Sequence, residues 1–120
     1  THPDGSEVRI TNFGAAVVSV KVPDKNGIIE DVVLGFDNLE KYEKIRAFYG
    51  AIVGRYGNRI AKGQFTLDGI DYQVPLNNGE NSLHGGFNGF DRMVWTIEKF
   101  DVNSFASVQL SYLSKDGEEG

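Results

Sequence analysis

The 120 residues carry 17 acidic against 12 basic side chains, a net charge of −5, and no two Lys or Arg are adjacent. Nucleic acid and anionic membrane surfaces are therefore excluded as partners, because counterion release needs a basic face. There is no cysteine and the two histidines lie 82 positions apart, which removes disulfides, thiolate chemistry and a dedicated transition-metal site.

At 40% hydrophobic and 24% charged residues, the composition is that of a folded chain. The longest nearly apolar run, AAVVSVKV (15–22), is too short to span a bilayer. The chain opens on Thr without a signal-peptide pattern; the expectation is a cytoplasmic protein whose native start lies upstream.

Period-two alternation dominates. Val8 and Ile10, then Val18, Val20 and Val22, share one phase, with Ser19 and Lys21 on the other. PDKNG (23–27) predicts a hairpin turn through its Asn-Gly, and IIEDVVLGF (28–36) the returning strand. DNLEKYEKI (37–45) is the one helical stretch, with Asp37 as its cap and Glu40 completing a capping-box spacing. QFTLDGIDYQV (64–74) predicts a second hairpin turning at Asp68-Gly69. VWTIEKF (94–100) and SVQLSYL (107–113) form another antiparallel pair, with Val108, Leu110 and Tyr112 inward and Ser107, Gln109 and Ser111 outward. Six or so short strands separated by turn chemistry give an all-β fold, an antiparallel β-sandwich.

Two segments break the pattern and read as irregular. YGAIVGRYGNRIAKG (49–63) is punctuated by glycine and carries two arginines; PLNNGENSLHGGFNGFD (75–91) surrounds His84 with glycine and asparagine. A loop of seventeen residues in an otherwise economical chain is usually functional or disordered, and Leu83, Phe87 and Phe90 are expected to anchor this one. His84 is the one ring in the body of the chain suited to moving protons near neutral pH; His2 reads as tail. HGGF (84–87) superficially matches an esterase oxyanion loop, but the chain has no Gly-x-Ser-x-Gly elbow. Arg55 or Arg59 could aim a planar fork at the oxygens of a ligand, and Asn58 adds an amide that donates and accepts. The residues alone thus point to a β-rich domain with a histidine loop and an Asn-Arg turn, suited to a small polar ligand. No carboxylate is singled out as a general base by its spacing.

GRYGNRIAKGQFTLDGIDYQV followed by NNGENSLHGGFNGFDRMVW resembles the aldose 1-epimerases (galactose mutarotases), as do ITNFGAAVVSVKVPD, DVVLGFDNLEKY and the closing SKDGEEG. The likeness runs over roughly residues 8 to 120. It implies a large antiparallel β-sandwich, of which residues 1–120 form the N-terminal portion of a single domain. The implied activity is interconversion of the α and β anomers of free hexoses such as galactose and glucose, with neither cofactor nor metal. Carried across residue by residue, Asn58 and Arg59 match the substrate-binding Asn-Arg, and His84 the first active-site histidine, which binds the sugar and assists at the ring oxygen. The family's second histidine, its catalytic glutamate base and a substrate-binding aspartate have no counterpart here. This portion alone is accordingly expected to be weakly active or inactive, and to self-associate through the exposed edges of a partial sandwich. Two other readings stay open: a carbohydrate-binding module without catalysis, and a related hexose-phosphate epimerase in which Arg55 or Arg92 meets a phosphate.

Overall fold

The computed structural model describes residues 2–102 and 106–120. Its strands are all antiparallel. The first three, β1 (Glu7–Ile10), β2 (Val17–Pro23) and β3 (Ile29–Asp31), form a sheet in chain order. Val8 sits opposite Val20 and Arg9 opposite Ser19, with a register shift between Arg9 and Ile10.

Between β2 and β3, Asp24 builds the turn. Its Oδ1 accepts from the N–H groups of Asn26 and Ile28, both at 2.8 Å. Only Gly27 of the Asn-Gly pair takes positive φ, at 79°, so this is not the two-residue turn expected, in which both residues would be left-handed. The returning strand is also shorter than 28–36. It stops at Asp31, whose Oδ1 accepts from Val20 N at 3.0 Å and Val33 N at 3.2 Å, beside a last backbone bond from Val32 N to the Val20 carbonyl at 2.9 Å.

One α-helix, α1 (Leu39–Lys44), occurs among the described residues. Its cap is Asn38 rather than Asp37: the Asn38 Oδ1 accepts from Lys41 N at 3.0 Å. Asp37 instead pairs with Lys41 across one turn, at 2.9 Å. Arg92 closes the other end, donating to the carbonyls of Tyr42 (3.0 Å) and Glu43 (2.7 Å). There it satisfies carbonyls that the helix cannot.

Residues 49–63 and 75–91 are not wholly irregular. Each contains a three-residue strand, β4 (Arg59–Ala61) and β7 (Asn81–Leu83), and the two pair with each other, Arg59 opposite Leu83. Between them, β5 (Gln64–Leu67) and β6 (Ile70–Gln73) make the hairpin the sequence predicts. Asp68 and Gly69 both have positive φ, 52° and 78°, which matches the right-handed strand twist. After a short 3-10 turn at Phe90–Arg92, β8 (Thr96–Asp101) and β9 (Ser107–Ser111) form the last pair.

The interior is built from small residues. Ala15 and Ala16 are the buried apolar residues, with Ser19, Ser82 and Asp91 as buried polar ones, and no large side chain among the described residues is fully buried. On β2 Ser19 is buried while Val22, of the other phase, is exposed, and the inward assignment of Val108 fails, since it is 39% exposed. Tyr112 lies just past β9, clustered with Phe90 and Trp95 at centroid distances of 5.7 and 5.8 Å. Phe87 does not anchor its loop either; it is exposed.

The surface area, 8501 Å², exceeds the roughly 6,400 Å² expected of a compact monomer of this mass. The radius of gyration is 17.5 Å, against about 14 Å for a compact chain of this length. No helix among the described residues is long and apolar enough to cross a membrane.

Candidate functional site

The β4–β7 ladder brings the two glycine-punctuated segments together. Just outside its end, Asn58 and His84 both adopt left-handed backbone conformations, with φ of 67° and 51°. That costs non-glycine residues energy, least for Asn, Asp and His, and here it comes with a reciprocal exchange. His84 N donates to the Asn58 carbonyl at 3.0 Å, and Asn58 N donates to His84 Nδ1 at 2.9 Å.

A backbone N–H can only donate, so Nδ1 carries a lone pair and the hydrogen of the neutral ring sits on Nε2. Phe48 packs edge-on against the ring at 4.7 Å between centroids. The half-buried His84 thus has its orientation and tautomer set by the segment that carries Asn58, and its Nε2–H has no partner among the described residues.

Arg59 donates through Nε to Asn78 Oδ1 at 2.8 Å and through Nη1 to Asn58 Oδ1 at 3.3 Å. Its Nη2 and the Asn58 amide nitrogen are left without partners among the described residues. Three hydrogen-bond donors therefore remain free around one end of the ladder. Asn58 and Arg59 line a cleft of about 690 Å³ together with Phe65, Tyr72, Gly85 and Glu119. The His84 ring is not part of its wall; the histidine reaches that region only through its neighbour Gly85.

The loop after His84 is fixed from several sides. Asn77 accepts from Leu83 N at 2.7 Å and donates to the carbonyls of Leu83 (2.9 Å) and Gly86 (2.7 Å). Arg46 donates to the carbonyls of Gly86 (2.7 Å) and Phe87 (3.1 Å). Its fork also grips the Asp91 carboxylate, Nε to Oδ2 at 2.9 Å and Nη2 to Oδ1 at 2.7 Å. Gly85 takes φ of 87° and passes so close to the Gly54 carbonyl that a Cβ there would overlap it.

Arg46 carries no motif of its own, and Asn77 opens a motif that does not disclose its role. Their signal in the sequence is only that an arginine and an asparagine stand near glycine-rich segments whose carbonyls need partners. Of the candidates for a phosphate, Arg55 lines the cleft and also makes internal bonds, while Arg92 is engaged at the helix. Arg55 donates to Ser114 Oγ at 2.9 Å and to the Lys115 carbonyl, and Arg92 holds the end of α1. No cluster of three or more His, Asp or Glu suited to a metal occurs among the described residues.

The aldose 1-epimerase family model matches residues 1–120. Galactose mutarotase of Bos taurus is 48% identical over 117 residues, covering 98% of this chain and 33% of that protein. Aldose 1-epimerase of Escherichia coli is 37% identical over 117 residues, covering 97% and 33%. Among solved structures, the GalM/aldose epimerase homologue from C. elegans superposes with a TM-score of 0.91 at 35% identity, covering all of this chain and 36% of that one. The chain thus spans about a third of the length of the relatives it matches.

Proposed function

Since the chain belongs to the aldose 1-epimerase family, we propose that it supplies the sugar-binding N-terminal portion of a single epimerase domain. That domain interconverts the anomers of free hexoses such as galactose and glucose in the cytoplasm, without a cofactor. Asn58 and Arg59 hold sugar hydroxyls through their free N–H groups. His84, neutral and protonated on Nε2, donates a hydrogen bond to a sugar oxygen and assists at the ring oxygen. The reciprocal hydrogen bonds between His84 and Asn58 carry this reading, because they set the tautomer of His84 and join it to the turn that carries Asn58 and Arg59.

Opening a pyranose requires taking the proton from the anomeric hydroxyl and delivering one to the ring oxygen; closure on the other face reverses both transfers. Positioned acid and base groups contribute about 10²–10⁴-fold each to such a step. This segment offers His84, while the cleft carboxylates Glu118 and Glu119 are already held by the Tyr112 and Ser114 hydroxyls and by the Phe87 and Asn88 amides. The remaining acid and base are assigned to chain beyond these residues, which agrees with coverage of a third of the relatives' length. The surface excess over a compact monomer supports the same division: apolar faces such as Leu34, Val94 and Leu113, 66–82% exposed, await a covering layer. Expressed alone, the segment self-associates through them.

Polarimetry on freshly dissolved α-D-galactose and α-D-glucose tests the proposal. A chain of the relatives' length that contains this segment should accelerate mutarotation, and His84→Ala should lose most of that acceleration. The 120 residues alone should accelerate little. Binding of sugar by the longer chain with no acceleration would favour the carbohydrate-binding reading. The hexose-phosphate reading loses Arg92, which is used at the end of α1, and keeps Arg55, which lines the cleft; acceleration confined to a hexose phosphate would favour it.

A further inference from the structure

The segment at 112–120 contributes Glu119 to the cleft wall and touches both halves of the site. Arg55, three residues before Asn58, donates to Ser114 Oγ and to the Lys115 carbonyl. Glu118 is held by the hydroxyls of Tyr112 and Ser114, both at 2.5 Å. The next residue, Glu119, has positive φ, 56°. Its carboxylate spans two successive amides of the histidine loop: Phe87 N donates to Oε2 at 2.8 Å and Asn88 N to Oε1 at 2.9 Å.

We infer that Glu119 is a positioning residue for His84, clamping the backbone of loop 84–88 from the side opposite Arg46; this rests on the sugar-epimerase reading of the site. The loop's polar groups are divided by charge. Its carbonyls at Gly86 and Phe87 face the Arg46 guanidinium, and its N–H groups at Phe87 and Asn88 face the Glu119 carboxylate. Bonds to an ionised partner are about twice as strong as neutral ones, so the two ions fix the loop's path as neutral contacts would not. Gly86 reports the same design independently. A Cβ there would collide with the Glu119 carboxylate, so the glycine makes room for the clamp rather than for a ligand. Because Glu119 and the Arg55 contacts belong to one short segment, loop 84–88 and the Asn58–Arg59 turn are held at a common spacing. The carboxylate does not touch the ring; it acts through the loop.

The test uses Glu119→Gln in the protein at the relatives' length, keeping the shape but leaving one oxygen for two amides. Hydrogen exchange at the Phe87 and Asn88 amides should speed up about tenfold or more, the loss of one charge-assisted bond, while circular dichroism stays unchanged. In mutarotation, kcat should fall about tenfold with KM little altered. In a His84→Ala background the same substitution should change the rate less than twofold, since it works through the ring. Unchanged exchange would overturn the clamp. Rate losses that simply multiply with His84→Ala would overturn its action through His84. If the unsubstituted protein proves inactive on aldoses, the functional reading fails, and the exchange measurement still decides whether Glu119 holds the loop.

Discussion

Removing the Arg46 guanidinium should be the most damaging single change in this chain. The Asp91 side chain is 4% exposed and that of Arg46 25%, and two parallel N–H···O bonds join them. Arg46→Met keeps the stem but strands a buried carboxylate without its counter-charge, which typically costs about 3–5 kcal/mol. It also frees the Gly86 and Phe87 carbonyls, so the histidine loop loosens along with the core. Arg46→Lys should recover only part of the loss, because an ammonium cannot reproduce the fork. Urea unfolding followed by circular dichroism, at the relatives' chain length, gives the midpoint and slope for Arg46→Met, Asp91→Asn and the double variant. A coupling energy of at least about 1.5 kcal/mol is expected, since the residues are in direct contact. Single losses below about 1 kcal/mol that add in the double variant would refute the reasoning.

Gly85→Ala should destabilise the protein by about 1–3 kcal/mol, the range for an enforced unfavourable backbone, because its Cβ meets the Gly54 carbonyl; a thermal melt equal to that of the parent would contradict this. Asn38→Ala should cost about 1 kcal/mol through loss of the α1 cap, whereas Asp37→Ala should be near neutral by the same denaturation assay. The Glu118 carboxyl is held below its ordinary range by hydrogen bonds from Ser114 and Tyr112, and the Tyr112 phenol above 10.0 by Glu118. The carboxylate's contribution is therefore present above the ordinary glutamate range and lost as pH falls through the lowered value. The phenol's contribution is present below 10.0 and lost as pH rises through the raised value. Amide protection at Ser114–Glu118, taken relative to intrinsic exchange at each pH, should be greatest between those limits, and protection that persists unchanged in acid would be inconsistent with the network.

What could be read from the sequence depended on how local its cause is. Asp68-Gly69 declares a hairpin because its turn needs only two residues with positive φ, and the β8–β9 pair is declared by alternation. The strands β4 and β7 are three residues long and sit among glycines and asparagines, so neither has a period to detect. They become strands because they pair with each other across twenty residues. Alternation tells which residues share a face of β2 or β9, not what covers that face, and hence Ser19 is buried while Val108 is not. In the site, Asn58, Arg59 and His84 are visible through their motifs. Arg46 has no motif, and SKDGEEG does not disclose what Glu119 holds, because the carbonyls and amides they satisfy lie about thirty to forty positions away.

The central claim is that Asn58 fixes His84 with its proton on Nε2 and aims that donor at a sugar. Long-range ¹⁵N NMR of the imidazole, recorded during a galactose titration of the protein at its relatives' length, tests it directly. The account predicts a lone-pair Nδ1 that stays unchanged and a protonated Nε2 whose signal moves as sugar binds. A protonated Nδ1, or an Nε2 indifferent to saturating galactose, would contradict it.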